Sequence, residues 1–402
     1  MNAANQNDVR RADLFIVDGL RTPMAEYNGH FVDLSANDLG GLAVKALVER
    51  TGAEPGQIDH VVMGNALQTS GDAIYGARHV ALKAGLPVTL PALTVNRICG
   101  SGLQSVVTAG QLMMLGECTT VIAGGMENMS QAPHVIRGAR TGFKLGQGAL
   151  EDSLMVALRD SHCGLYMAET AENLAKEHGI TRQAQDEFAL RSQRAAAAAV
   201  EAGRFRDEII PVTVKKGRKE VVIDADDHLR GDATMEGLAA LRPAFSKDGS
   251  VTAGNASGIV DGAAALLVTT GESARSRGWK PLGRIVSWAV AGVEPRIMGI
   301  GPVPAIRKAL SVAGLTDSDV ALYEINEAFA AQYLAVEKEL GLDRDKVNVN
   351  GGAIALGHPL GATGTRLIIT LLRELQRRGG GVGVASACIG GGQGIAVVVE
   401  AS

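Results

Sequence analysis

The sequence predicts an α/β protein whose core is one unit written twice. Each copy reads as a mostly parallel sheet buried on both faces, and a further unit is inserted between the copies. Three observations carry this. The stretch "LAVKALVERTGAEPGQIDHVVMGNA" (42–66) lays over "VPAIRKALSVAGLTDSDVALYEINEA" (303–328), each an apolar-periodic helix, a Gly, a polar turn, an apolar strand and then Asn. "TVNRICGSG" (94–102) and "NVNGGAIALGHPLGATG" (348–364) follow in the same register, each read as a strand ending in Val-Asn before a Gly-rich turn and a helix. Between the copies, over 126–253, the composition shifts to charged helices and a hairpin.

Taken in chain order, "LFIVDGLRTP" is the first strand, and the helix and strand of 42–66 follow it. After Cys99 comes a helix on which Leu103, Val106, Val107, Gly110 and Met114 fall near one face, then the strand "TTVIAGG" (119–125). In the insertion, Thr181 is a candidate N-cap for a surface helix that ends at Gly203. "IIPVTVKKGRKEVVIDADD" reads as two strands around a Lys-Gly-Arg-Lys turn. In the second copy, "RLIITLLREL" places Leu367, Ile368, Leu371, Leu372 and Leu375 at core spacing, and "VGVASACIGGG" (382–392) is the closing strand. The expected partition is a first half from 1–125 and 254–281, an inserted domain at 126–253, and a second half at 282–402.

With 402 residues, 46% apolar and 20% charged, the chain has ample material for a core. A net charge of −4 gives no field suited to general nucleic-acid binding, so a small molecule or another protein is the expected partner. The 51 glycines bunch near 100, 124, 351, 357–364 and 390–394, which marks tight backbone sites. Cysteines 99, 118, 163 and 388 form no C-x-x-C pair and read as reduced thiols rather than as a disulfide or zinc framework. "MNAANQNDVRRADLF" lacks the apolar core of a signal peptide, and no uncharged apolar run reaches about 18 residues; a cytoplasmic chain with no membrane partner is expected.

The chemistry centres on strand-end turns, where open α/β sheets bind ligands. Cys99 sits at a helix start just before glycines 100 and 102. A helix N-terminus favours an anion and is expected to lower the thiol pKa, while free amides there stabilise an oxyanion. His358 occupies the corresponding turn of the second copy, before Pro359, and its ordinary pKa suits general-base work. Cys388 ends an apolar strand and enters another Gly-rich loop, where the amide of Gly390 is a donor. Asn326, at the end of its strand, can orient a water or donate to a carbonyl oxygen. Singly, each has a bland alternative as core cysteine, turn histidine or cap asparagine. Together, a thiolate, a base and a second proton carrier suit acyl transfer through a thioester, followed by making or breaking a carbon–carbon bond.

The blocks "NRICGSGLQSV", "GGMENMSQAP", "TAGNASGIVDGAAA", "MGIGPVPA", "NEAFA", "NVNGGAIALGHPLGATG" and "CIGGGQG", in that order over nearly the whole chain, resemble those of the thiolase family. The resemblance implies a five-layered αβαβα fold of two similar halves with an inserted loop domain. It implies no metal or prosthetic group, acyl-CoA and CoA as partners, and a homotetramer made of two tight dimers. By motif, Cys99 would be the acylated nucleophile, His358 its base, and Cys388 the group that moves the α-proton of the second acyl-CoA. One oxyanion site would be His358 with a water held by Asn326, the other the amides of Cys99 and Gly390. Ser257 would lie near the pantetheine arm and Arg230 along the adenine end; Phe245, Met167 and Met298 would wall the acyl and pantetheine pocket. Short-chain members often read His-Met-Gly where this chain has Tyr166-Met167-Ala168. The implied activity is that of an acetyl-CoA acetyltransferase, with a broad-range 3-ketoacyl-CoA thiolase as the alternative.

Rival classes fit less well. A β-ketoacyl synthase has histidines where this chain has Cys388. A dinucleotide dehydrogenase requires a G-x-G-x-x-G after the first strand, which is absent. A non-catalytic lipid carrier or scaffold on the same fold would not need all four reactive positions.

Overall fold

Each copy of the repeat folds as a mixed sheet with helices against both faces. The computed structural model describes residues 13–146 and 148–402. Residues 1–12, where no leader was expected, lie outside the described residues. The first half comprises β1 (Leu14–Arg21), α1 (Ala36–Thr51), β2 (His60–Gly64), α2 (Gly76–Lys83), β3 (Ala92–Val95), α3 (Ser101–Met114) and β4 (Thr120–Glu127). The inserted stretch carries α4 (Met167–His178), α5 (Arg182–Glu201) and the hairpin β5 (Val212–Lys216) and β6 (Lys219–Ile223). Strand β7 (Val260–Thr270) completes the first half. The second half contains β8 (Gly283–Gly292), α6 (Pro302–Ala313), β9 (Val320–Ile325), α7 (Ala330–Leu340), α8 (Leu360–Arg377), β10 (Gly381–Ile389) and β11 (Gln393–Ala401).

The strands lie in the order β9-β10-β11-β8-β1-β7-β4-β2-β3, and the short strand Ala25–Glu26 adds to β7. The halves meet at β1 and β8, paired only at Phe15 with Arg284 and Ile16 with Gly283. The expectation of a mostly parallel sheet is corrected. Pairing is parallel for β3 with β2, β2 with β4, and β9 with β10, but antiparallel from β4 through β7, β1, β8 and β11 to β10. The cause is local: β10 returns to β11 through a tight turn with Gly391 at φ +83° and Gly392 at φ +82°, and a hairpin can only reverse the chain. In the first half, the long insertion stands where this turn would be, and β7 comes back antiparallel to β4 all the same. A second expectation also fails. The Val-Asn stretch before His358 forms no strand; a single bridge joins Tyr323 to Val347, and Asn348 turns the chain at φ +48°.

Both sheet faces are buried, as the continuous apolar strands required. On β7, Leu266 and Val268 face a central layer that contains Leu103, Val106 and Val107 of α3 and Leu367, Ile368, Leu371, Leu372 and Leu375 of α8. Ala265 and Leu267 face the opposite way, onto Leu39, Val44 and Leu47 of α1 and Val80 of α2. In the second half, Ile306 and Leu310 of α6 and Tyr333 and Val336 of α7 cover Val384 and Val398. The result is five layers: α1 and α2, a sheet, α3 and α8, a sheet, α6 and α7. On α3 the buried methionine is Met113; Met114 only packs against the edge of the cluster.

Helix α5 starts at Thr181, whose hydroxyl accepts the Ala184 amide at 3.1 Å, and its chain turns away at Gly203 (φ +69°). It is less of a surface helix than its composition suggests: Phe188, Ala189 and Leu190 enter the second half's core, and Ala196 and Ala199 pack on Ala355 and Leu356. The segment after α5 is fastened to β1 by Arg21, which is fully buried. Its guanidinium meets Glu208 at 2.7 Å and Asp226 through two bonds of 2.6 and 2.8 Å. A buried charge is tolerated when paired in this forked way.

The two central helices touch backbone to backbone. A Cβ on Gly102 would lie 2.7 Å from the Thr365 nitrogen and 2.8 Å from the Gly361 oxygen, and a Cβ on Gly64 would lie 2.6 Å from the Ser101 carbonyl carbon. These are main-chain neighbours, which cannot swing aside as a side chain can. Gly102→Ala should therefore destabilise the protein by about 2 kcal/mol through overpacking. Thermal melting should show a lower Tm; an unchanged Tm would mean that α3 and α8 separate freely.

Candidate active site

Cys99 lies in the turn Ile98–Gly100 that feeds α3. The residue before it, Ile98, is held at φ +46°, a left-handed conformation that costs a β-branched residue on the order of 1–3 kcal/mol. Local bonds impose it: the Ile98 amide donates to Asn96 Oδ1 at 2.9 Å, and Ser101 Oγ donates to the Ile98 carbonyl at 2.7 Å. The amides of Gly390 and of Cys99 itself lie within reach of its sulfur.

The sulfur opens onto a cavity of about 210 Å³ walled by Ile98, Leu158, Met167, Leu360 and Gly390. Cys388, at the end of β10, is fully buried in a cluster with Met298 and Ala328, against which Met167 also packs. Met167 thus borders both sulfurs. The two thiols also sense each other electrically, since the nearby Cys99 adds to the burial that holds Cys388 in its neutral form.

His358 precedes α8 and is buried; its amide donates to the Gly258 carbonyl at 2.9 Å. Thr363 Oγ1 donates to the Pro359 carbonyl at 3.0 Å, so its bond of 2.6 Å to His358 Nδ1 must be accepted from an Nδ1–H. That leaves the lone pair on Nε2, where Asn326 Nδ2 donates at 3.2 Å. Asn326 is fully buried, and its Oδ1 has no protein partner.

Two electrostatic expectations are corrected. The helix start does not lower the Cys99 pKa: burial pushes it up to about 11, the Glu127 charge adds to that, and the two amides only partly offset it. The His358 pKa is not ordinary either; burial and then the Arg366 charge push it down to about 3. At rest the pair is therefore a neutral thiol and a neutral imidazole whose Nε2 lone pair faces the Asn326 amide. Such an imidazole stays unprotonated throughout the neutral range and is a weak base.

The matches to known proteins are consistent with this geometry. Residues 14–272 match the family model "Thiolase, N-terminal domain" and residues 279–401 match "Thiolase, C-terminal domain". The chain belongs to the thiolase family. It is 52% identical over 390 residues to the human mitochondrial 3-ketoacyl-CoA thiolase, covering 97% of this chain and 98% of that protein. It is 52% identical over 391 residues to the acetyl-CoA acetyltransferase of Escherichia coli, covering 96% and 98%. The crystal structure of the human mitochondrial 3-ketoacyl-CoA thiolase in complex with CoA superposes with a TM-score of 0.95 at 51% identity, covering 98% of this chain and 99% of that one.

Within this thiolase-family chain, the remaining sequence candidates spread outward from the two sulfurs. Met167 and Met298 lie against Cys388, while the Ser257 amide donates to the Ala328 carbonyl at 3.0 Å, beside the same cluster. Phe245 is half exposed, its ring 6.4 Å from that of Tyr166. Arg230 is the outlier: its exposed guanidinium pairs with Glu26, and its segment reaches the loop that holds His358 through Leu229, which packs with Leu356, and through His228, whose ring packs on Gly258. Thr363 and Glu127 were missed by the sequence reading. Among the described residues no cluster of three or more His, Cys, Asp or Glu side chains could hold a metal ion, and no helix is long and apolar enough to cross a membrane.

Nitrogen-15 NMR of histidine-labelled protein should show His358 neutral and protonated on Nδ1 from pH 8 down to about 5. Thr363→Val should abolish the fixed tautomer and, by leaving Nδ1–H unpaired, reduce turnover about tenfold or more. A ring that titrates near the ordinary histidine value would contradict the burial described here.

Proposed function

We propose that this chain is an acetyl-CoA acetyltransferase, joining two acetyl-CoA to give acetoacetyl-CoA and CoA, reversibly, through an acetyl group on Cys99. The observation that carries the proposal is the placement of two buried thiols around one side chain, Met167, with a backbone amide aimed at one of them and with Leu360, two residues past His358, packed in the cluster that encloses Cys99.

In the first half-reaction the Cys99 proton moves to His358 Nε2 as the sulfur attacks the thioester carbonyl. The new imidazolium is then a donor toward the developing oxyanion, and a water on the open Asn326 Oδ1 completes that site. Collapse breaks the carbon–sulfur bond to CoA, whose sulfur takes the proton from His358. Exchange of one thioester for another is nearly balanced, so orientation and charge stabilisation are the protein's task.

In the second half-reaction Cys388 passes its own proton to His358 and, as thiolate, takes an α-proton from the second acetyl-CoA. The enolate carbon attacks the acetyl-Cys99 carbonyl, whose oxyanion receives the amides of Cys99 and Gly390. Cys99 departs as thiolate and takes the proton from His358, which leaves both cysteines as thiols and the imidazole neutral, the starting state. No electrons are exchanged with an outside partner, so we assign no cofactor; CoA is substrate and product.

A broad-range 3-ketoacyl-CoA thiolase is the second reading. The equal identity to a relative of each name and the Tyr166-Met167-Ala168 sequence favour keeping it. We further propose that 126–253 acts as the loop domain, that Ser257, Arg230 and Phe245 contact CoA, and that the chain works as a cytoplasmic homotetramer.

Acetyl-CoA should label Cys99 and release CoA. Cys99→Ser should lower turnover by about three orders of magnitude or more, whereas Cys388→Ala should still acylate yet fail to exchange the α-proton in heavy water. Label on Cys388, or on no cysteine, would reverse the roles. Initial rates with acetoacetyl-CoA against C6–C16 3-ketoacyl-CoA decide between the two substrate readings, and higher rates on the long chains would overturn the first.

A further inference from the structure

Beyond the two sulfurs and the imidazole, the most densely bonded buried charge near the site is Glu127, the last residue of β4. Both its oxygens are enclosed. Oε1 accepts from Asn65 Nδ2 at 2.8 Å and the Leu67 amide at 2.9 Å; Oε2 accepts from the Ala66 amide at 3.0 Å and the Gly361 amide at 2.8 Å. All four partners are donors, the set an ionised carboxylate satisfies and an amide or protonated acid does not. Three belong to the loop after β2 in the first half, and the fourth to the first turn of α8 in the second. Gly361 is three residues past His358. Ala66, Leu67 and Leu360, which the four bonds fix in place, pack in the cluster that encloses Cys99.

We propose that Glu127 is a positioning residue: its buried carboxylate locks the strand-end loop of one half to the first turn of the helix that follows His358 in the other, and so sets how the Cys99 and His358 turns approach. This rests on the reading of those two residues as the reacting pair. Burial pushes Glu127 itself up to about 8, with Asp261 on β7 adding in the same sense, while the amides of Leu67, Ala66 and Gly361 pull against it.

Glu127→Gln keeps the shape, removes the charge and turns an NH2 group toward two N–H donors. Folded Glu127→Gln enzyme should lose about tenfold or more in kcat with KM nearly unchanged. The rate of Cys99 alkylation by iodoacetamide at fixed pH, followed by mass spectrometry, should change about threefold or more as the turn shifts. Glu127→Asp keeps both acceptor oxygens and shortens the reach, so it should recover only part of the lost kcat, again at constant KM. If Glu127→Gln does not fold, Asn65→Ala withdraws one donor and should lower kcat about threefold at constant KM. A folded Glu127→Gln enzyme with a lower Tm but an unchanged kcat, or with an unchanged alkylation rate, overturns the proposal; so does an unchanged kcat in Asn65→Ala. Absence of turnover in the wild type would instead sink the assigned reaction, with the alkylation rate still reporting on Glu127.

Discussion

The structure depends on the backbone contact between the N-terminal turns of α3 and α8. Each helix is the central helix of one copy, each begins just after a reactive residue, and glycines at 64, 102, 361 and 364 let the main chains meet without side chains between them. Because the contact is at the helix starts, the turns before them are brought together too: Cys99 from the first copy, His358 from the second. A repeat whose two strand-end turns diverged would hold the same residue types and no site. The glycine blocks that looked like ligand loops are thus, in part, the condition for the halves to approach at all.

The second consequence of that contact is dryness. The turns close over the sulfurs so fully that burial outweighs the helix dipole at Cys99 and neutralises His358. Neutral groups with donors already aimed, the Gly390 amide at Cys99 and Asn326 at His358, leave charge to appear only on the reacting substrate. A low-dielectric enclosure makes those few donors count for more than they would in water.

The repeat and the turns that hold Cys99 and His358 were legible because each leaves a local signature: periodic helices, glycines just behind a cysteine, a histidine fixed ahead of a proline. What failed was everything decided by burial or by long-range return of the chain. A tight turn of three glycines reads equally as a hairpin or as a binding loop, which hid the antiparallel centre of the sheet. The pKa directions reversed because no window of sequence around Cys99 records what the other half stacks upon it. Glu127 and Thr363 went unread for opposite reasons. The first is a charge at the end of the otherwise apolar strand "TVIAGGME", a signal that could have been followed. The second is an ordinary helix threonine until the histidine folds back onto it.

The two copies have also diverged in use, and the asparagines that close β2 and β9 show how. Asn65 spends its amide on the Met126 carbonyl and on Glu127, entirely within the scaffold. Asn326, its counterpart, spends it on His358. The strands that follow differ in the same way. β4 ends in a carboxylate that gathers backbone amides, whereas β10 ends in Cys388 and turns at once through Gly390, releasing an amide to the other half's sulfur. The first copy supplies Cys99, the proposed nucleophile, and a braced frame; the second supplies the imidazole, the second thiol and the donors. Either half alone would have reactive groups with nothing to react against, so the pseudo-twofold junction is where an ancestral repeat acquires chemistry that neither copy contains.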